Sequence, residues 1–88
     1  MRTIYKYPLV ITDKQTLMLP VHAEVLTVAA QHGQPCIWAL VDTDAEPKPC
    51  EITMCGTGMP CDCTRGDYIG TAQLLDGKMV LHVFMSGK

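Results

Sequence analysis

Four of the five cysteines in this 88-residue chain lie within one short segment, which makes them the first candidates for metal or redox chemistry. Structural zinc takes four sulfur or nitrogen ligands in a tetrahedron, and two of them usually come from a Cys-x2-Cys pair that is missing here. We therefore interpret these residues as thiols without a common ligand. A zinc site is one alternative, and a disulfide joining Cys55 to Cys61 or Cys63 is another. The weak candidate metal ligands are Cys50, Cys55, Cys61 and Cys63.

The segment Gly56-Thr57-Gly58 looks like a fragment of a phosphate-binding loop. It lacks the third glycine, the lysine and the following helix that such a loop needs. The sequence predicts a β-turn or bulge with positive φ at this point. An anion held by backbone N–H groups is the alternative.

His82 lies in a predicted strand, out of phase with Leu81 and Val83. A catalytic histidine needs a nucleophile on one side and an orienting acid on the other. No known motif positions a serine or cysteine for that role here, so the sequence predicts a surface histidine or a hydrogen-bonded core histidine. We therefore expect no catalytic residues and no enzymatic activity.

Three carboxylates alternate along one loop, at Asp42, Asp44 and Glu46. A calcium loop of the EF-hand type needs a glycine at its sixth position and a glutamate at its twelfth, and both are missing. We interpret the three as solvated carboxylates, with weak binding of a divalent cation as the alternative.

Length and charge limit the classes of protein to consider. A chain of 88 residues forms one domain over residues 1–88. Its basic residues are scattered, whereas a protein that binds duplex nucleic acid needs them clustered. No apolar stretch approaches the roughly 20 residues of a membrane span, and the N-terminus lacks a signal-peptide core. We expect a cytoplasmic protein without a cofactor or membrane partner.

Charged residues make up 18% of the chain, below the usual value of about 25%. A sparsely charged surface often means that part of it is covered by another molecule. The composition is therefore consistent with a homo-oligomer, in which further copies of this chain cover part of the surface.

Two hairpins are the clearest structural prediction. Asp76-Gly77 joins Tyr68–Leu75 to Lys78–Phe84, and Asp-Gly between β-rich segments favours a type I′ turn. The second hairpin joins Glu24–Ala30 to Cys36–Val41 through a turn at Gln31-His32-Gly33-Gln34. A helix over Ala23–Gln31 is the alternative to its first strand, but the β-branched residues and the turn that follows favour a strand.

The remaining segments complete an all-β pattern. Strands are predicted over Arg2–Leu9, Thr16–Leu19 and Cys50–Cys55, with a polar loop over residues 42–49. The apolar segment Cys36–Val41 predicts a central strand buried on both faces, with Trp38 in the core. The sequence thus predicts a single small sandwich or partly open barrel of about seven short antiparallel strands, with the first or second strand at an edge.

The order of these segments resembles a family of small, uncharacterised proteins encoded by bacteriophages and prophages. That family tends to carry Gly-Thr-Gly-His-Pro, whereas this chain has Met59 in place of the histidine. The resemblance implies a phage or prophage origin and no assigned activity. The matching segments are Thr3–Tyr7, Pro20 with Ala23–Leu26, Pro35–Asp42, Gly56–Gly58, Tyr68–Thr71 with Gln73–Leu74, and His82–Phe84.

Together these observations predict a non-enzymatic accessory binding protein of a phage or prophage. It would counter a host defence system by masking a host protein or by sequestering a small ligand. The alternative is a small homo-oligomeric component of virion structure or assembly. The candidate contact residues are Gly56, Thr57, Gly58, Arg65 and Tyr68.

Overall fold

The computed structural model describes residues 1–61 and 66–87, and within them the chain forms seven β-strands. All pairings between these strands are antiparallel, which confirms the predicted all-β class. No helix in the described ranges has the length and apolarity needed to cross a membrane. The elements are β1 (Arg2–Pro8), β2 (Lys14–Pro20), β3 (Glu24–Gln31), β4 (Gln34–Asp42), β5 (Pro47–Gly56), β6 (Asp67–Leu74), a 3-10 turn (Leu75–Gly77) and β7 (Met79–Ser86).

The strands form two sheets that pack face to face as a small sandwich. The three-stranded sheet has the order β1-β4-β3, and the four-stranded sheet has the order β2-β5-β7-β6. β1 and β2 therefore both lie at edges, as predicted. At the other side of the sandwich β3 contacts β6, so the two sheets meet there.

The core lies between the sheets and is built by alternate residues of each strand. None of the described polar or charged residues is buried. Burial of apolar surface is thus the main source of stability. The central members of the core are Ile37, Ala39 and Val41 from β4, Ile52 and Met54 from β5, and Val83 and Met85 from β7.

β4 occupies the centre of its sheet, as predicted, but it is buried on one face only. Ile37 is fully buried, whereas Trp38 and Leu40 are half-buried on the outer face. The expectation of burial on both faces, with Trp38 in the core, is wrong. A two-layer sandwich covers only the inner face of each sheet, so a continuous apolar segment still leaves alternate residues facing outward.

Cys36 is an exception on that outer face, because it is 2% exposed. The Lys6 Nζ atom donates a hydrogen bond of 2.8 Å to Gln31 Oε1, joining β1 to β3. Lys6 is paired with Trp38 and Gln31 with Gln34, so this bond crosses β4 at the level of Cys36. The Cys36 sulfur itself lies 3.5 Å from the Gln34 carbonyl oxygen.

The predicted two-residue turn is present at His32-Gly33, where Gln31 pairs with Gln34. The predicted turn at Asp76-Gly77 is also present, but the connection is longer than predicted, because β6 ends at Leu74 and Leu75 has a φ of 52°. His32 and Gly33 have φ of 52° and 77°, and Asp76 and Gly77 have φ of 56° and 85°. Positive φ at both central residues is the type I′ geometry that matches the twist of the flanking strands. The Lys78 N–H closes the second turn with a bond of 3.0 Å to the Leu75 carbonyl oxygen.

β5 begins earlier than predicted, because Pro47 and Pro49 belong to it and not to the preceding loop. Pairing with β7 begins only at Glu51, so this part of β5 has β2 as its one partner. Proline is tolerated in a strand where its missing N–H has no ladder partner.

Candidate functional site

Four polar side chains form a hydrogen-bonded chain on the outer face of the four-stranded sheet. The Tyr68 hydroxyl bonds to Thr71 Oγ1, and Thr71 Oγ1 lies 3.1 Å from His82 Nδ1. His82 Nε2 lies 2.7 Å from Thr57 Oγ1. Both ring nitrogens of the histidine are thus occupied by hydroxyl groups. We call this arrangement the hydroxyl–imidazole chain.

The β6–β7 hairpin positions the centre of this chain. A two-residue turn at Asp76-Gly77 pairs residues symmetrically about it, and Thr71 falls directly opposite His82. Directly opposed residues on one face have their Cβ atoms about 4.5–5.5 Å apart, within reach of a side-chain hydrogen bond. The turn chemistry of the hairpin therefore determines the contact between Thr71 and His82.

Tyr68 joins the chain because of a β-bulge. Residues separated by an odd number of positions normally point to opposite faces of a strand. β6 shifts register between Tyr68 and Gly70, so Tyr68 and Thr71 come to the same face. At Gly70 an added Cβ atom would lie 2.7 Å from the Val28 Cβ atom, so the close approach of β3 requires glycine.

Thr57 reaches the chain from a tight turn at the end of β5. The Met59 N–H donates to the Gly56 carbonyl oxygen at 3.1 Å, and Gly58 has a φ of +80°. The Thr57 N–H donates to the Val80 carbonyl oxygen at 3.3 Å, which ties the turn to β7. The predicted β-turn with positive φ is confirmed, although Gly56 is the last residue of β5 and not a loop residue.

Cys55 and Cys61 form a disulfide that closes the loop carrying Thr57. The interpretation of these two residues as thiols is therefore wrong, and the disulfide alternative is confirmed. Cys50 is a buried free cysteine elsewhere, with its sulfur 3.9 Å from the Lys48 carbonyl oxygen. Cys63 lies outside the described residues.

The disulfide also bears on the zinc alternative. A sulfur atom in a disulfide is not a thiolate, and the thiolate is the form that binds a metal. In the part of the chain that the structure describes, no group of three or more potential ligands is close enough to hold a metal ion.

An aromatic pair extends the hydroxyl–imidazole chain along the sheet. The rings of Tyr68 and Phe84 pack edge to face, with centroids 5.6 Å apart and planes at 65°. Tyr68 is 58% exposed although its ring and hydroxyl both have partners. We call the surface formed by Thr57, Tyr68, Thr71, His82 and Phe84 the Tyr68 face.

The hydroxyl–imidazole chain has two proton arrangements when His82 is neutral. If Nε2 carries the proton, it donates to Thr57 Oγ1, and the Thr57 O–H remains to donate outward. If Nδ1 carries the proton, it donates to Thr71 Oγ1, and the Thr71 O–H donates to the Tyr68 oxygen. The Tyr68 O–H then remains to donate outward. The chain thus offers one outward donor, at either of two ends. Each bond in such a chain polarises the next.

The arrangement differs from a nucleophile–base–acid triad in one respect. Thr57 and His82 are as close as a nucleophile and its base would be. However, the group at Nδ1 is the neutral hydroxyl of Thr71, where a triad has a carboxylate that stabilises the imidazolium. The chemistry of the site therefore favours hydrogen bonding to a bound group over proton abstraction.

The structure brings together two of the five predicted contact residues, Thr57 and Tyr68, at the two ends of the chain. Gly56 and Gly58 shape the turn that carries Thr57. Arg65 lies outside the described residues.

Sequence reasoning missed His82 and Thr71 as site residues. The signal for them was present, because symmetric pairing about Asp76-Gly77 aligns these two positions. The contact with Thr57 had no comparable local signal, since it depends on the turn after β5 packing on β7.

Two of the three loop carboxylates, Asp42 and Asp44, contact the N-terminal amine, in the loop that precedes β5. The N-terminal amine of Met1 lies 3.4 Å from Asp42 Oδ1 and 3.0 Å from Asp44 Oδ2. The Asp44 N–H donates to Asp42 Oδ1, and this bond together with the amine holds the pKa of Asp42 below its usual value. The bond to Asp44 raises the pKa of the amine.

Comparison with known proteins gives one match. A family model described as a domain of unknown function, DUF7352, covers residues 1–88, and the chain therefore belongs to this family. No curated protein and no solved structure gives a significant match.

Proposed function

We propose that this member of the DUF7352 family is a non-enzymatic binding protein whose Tyr68 face contacts a partner protein. The observation that carries the proposal is that both ends of the hydroxyl–imidazole chain are exposed. Tyr68 is 58% exposed, and Thr57 is exposed at the opposite end. Their side chains are already ordered by His82 and Thr71, so a partner would find them in place.

The form of the face favours a protein partner over a sequestered small ligand. Thr57 and Tyr68 each border a depression that is open to solvent, whereas small-ligand sites bury most of the ligand. Tyrosine is enriched among residues that dominate protein–protein binding energy, because it combines a large apolar ring with a hydroxyl. Sequestration of a small ligand is tested separately, by native mass spectrometry.

The cellular role that we propose is accessory to a phage or prophage. Support for it comes from the resemblance of segments along most of the chain to phage and prophage proteins. A host defence protein is the class of partner that follows from such an origin, and masking it would require no catalysis.

Affinity capture from a bacterial host lysate, followed by binding to the purified captured protein, tests this proposal. The variant pair is Tyr68→Ala combined with Thr57→Ala, and the matched control is Tyr5→Ala, an exposed tyrosine on β1. We expect the control to keep the partner and the double variant to weaken binding at least tenfold. Equal binding by both proteins would reject the Tyr68 face as the contact surface.

Native mass spectrometry of the protein purified from bacterial cytoplasm tests the ligand alternative. If the wild type retains a small molecule and the double variant does not, the partner is a small ligand and not a protein. The expected result is a polypeptide without added mass.

A second candidate function is a small homo-oligomeric component of virion structure or assembly. The outer face of the three-stranded sheet favours it, because Ile4 and Leu26 are about half exposed beside Trp38 and Leu40. Leu26 and Thr27 both lie opposite Trp38 at a bulge in β3, which widens the apolar surface. A stable oligomer that Leu40→Glu converts to monomer would support this function, and a monomeric wild type absent from virions would reject it.

A further inference from the structure

We propose that the Cys55–Cys61 disulfide controls the contact between Thr57 and His82, so that thiol–disulfide exchange switches the Tyr68 face between an ordered and an open form. The biological meaning of this switch rests on the proposed function of that face. The link between the disulfide and the contact is a property of the chain alone, and it can be tested without a partner.

The disulfide and the contact belong to one closed loop. Cys55 lies directly opposite His82 in the β5–β7 pairing, so the loop leaves β5 beside the imidazole. The chain then turns at Gly58 and returns, and Cys61 bonds back to Cys55. Thr57 lies inside this loop.

Hydrogen bonds and the disulfide hold the loop together, and the Met59 N–H closes its turn with a bond of 3.1 Å to the Gly56 carbonyl oxygen. Its residues from Thr57 to Cys61 are all exposed, so little apolar burial fixes them. Thr57 makes two contacts with β7. Its Oγ1 atom lies 2.7 Å from His82 Nε2, and its N–H donates to the Val80 carbonyl oxygen at 3.3 Å. Gly56, which precedes Thr57, pairs with Leu81 of β7. Hydrogen bonds contribute little net stability in water. The covalent link therefore adds a restraint on the loop that the hydrogen bonds alone do not supply.

The exposure of the two cysteine residues determines how the disulfide opens. Cys55 is 7% exposed, whereas Cys61 is an exposed residue. A small-molecule thiolate therefore attacks the Cys61 sulfur, forms a mixed disulfide there and releases Cys55 as a thiol. A second thiol attacks the small-molecule sulfur, so that Cys61 leaves as a thiol and a small-molecule disulfide forms. Two protein thiols and one external disulfide replace one protein disulfide and two external thiols.

Nuclear magnetic resonance of the full chain, oxidised and then reduced with a dithiol, is the direct test. On reduction we expect the Thr57 amide to exchange with solvent at least tenfold faster. We also expect the His82 Nε2 resonance to shift toward that of a solvent-exposed imidazole. In Thr57→Val, the matched control, the Nε2 resonance should be the same in both redox states.

Three results would overturn the proposal. One is that the exchange rate of the Thr57 amide and the His82 Nε2 resonance stay unchanged although peptide mapping shows that the Cys55–Cys61 bond is reduced. Another is mapping that pairs Cys55 with a different cysteine in the oxidised protein. The third is loss of the amide signals of β1, β3 and β4, which would mean that reduction unfolds the whole domain.

A permanently open variant separates this inference from the proposed function. Cys55→Ala combined with Cys61→Ala should give the reduced pattern of Thr57 and His82 signals under all conditions. If those signals change as expected but partner binding stays the same, the switch stands and the assigned contact surface is wrong. If binding depends on Tyr68 but the signals never respond to reduction, the contact surface stands and the switch is wrong.

Discussion

Tyr68 and Thr71 point to the same face of β6 although three positions separate them, because a bulge between them shifts the register of the strand. This one relationship joins the exposed aromatic pair to the hydroxyl–imidazole chain. A regular strand would place the Tyr68 hydroxyl on the opposite side of the sheet from His82. The bulge lies where β3 packs closely against β6, and Gly70 allows this approach to Val28.

Replacement of Gly70 by alanine tests the close packing of β3 against β6. The added Cβ atom would lie 2.7 Å from Val28 Cβ, so one of the two strands must move. Overpacking of this kind costs about 1–3 kcal/mol, and we expect that loss in the free energy of unfolding measured with urea. Gly58→Ala is the matched control, because it has a positive φ but open space, and it should lose about 1 kcal/mol. A larger loss at Gly58 than at Gly70 would contradict this account.

Removal of the disulfide should lower stability by roughly 2 kcal/mol, because the closed loop is short. The comparison is between oxidised wild type and the variant with Cys55→Ala and Cys61→Ala, by urea unfolding. Reduced wild type is an internal control, and it should unfold close to the variant. A reduced wild type as stable as the oxidised protein would show that the cross-link contributes nothing.

Thr71→Val breaks the hydroxyl–imidazole chain at its centre while keeping a β-branched side chain. His82 Nδ1 and the Tyr68 hydroxyl each lose a partner, and we expect a loss of about 0.5–1.5 kcal/mol in stability. Thr16→Val, on the exposed side of β2, should change stability by less than about 0.5 kcal/mol. Equal effects of the two substitutions would mean that the chain is not a stabilising contact.

Neighbouring residues of β4 should differ sharply in their contribution to stability. Ile37 is 0% exposed between the sheets, so Ile37→Ala should cost about 2–5 kcal/mol. Leu40 is half-buried on the outer face, so Leu40→Ala should cost less than half as much. Trp38, on the same face, should be accessible to a collisional quencher of fluorescence in the folded protein. Full protection of Trp38 in a monomer would contradict the one-sided burial of β4.

The carboxyl of Asp42 should titrate below its usual range, because the Asp44 N–H and the N-terminal amine both favour its ionised form. A lowered folded-state pKa gives a contribution to stability that is present above the unfolded pKa. That contribution is lost as the pH falls through the folded value, which places the window below about pH 4. Titration of the carboxyl resonance by NMR measures the value. A pKa at or above the usual carboxyl value would contradict the observed hydrogen bonds.

The sequence by itself determined the features that depend on neighbours along the chain. Alternation of apolar residues predicts the strands, and the turn residues predict the two hairpins, with type I′ geometry at Asp76-Gly77, because φ and side-chain direction are local properties. The pairing of Thr71 with His82 was available in the same way from Asp76-Gly77. Thr57 and Tyr68 are predicted as contact residues on a similarly local ground, because both are assigned to the loop region between the strands.

Only the tertiary structure decided which distant groups meet. It paired β5 with β7 and so placed Cys55 opposite His82, and it closed the disulfide that joins Cys55 to Cys61. It also left Trp38 half-buried, since burial depends on whether a second layer covers a face and not on how apolar the strand is. Contacts of this kind come from the packing of two sheets against each other, and that packing depends on all the strands at once.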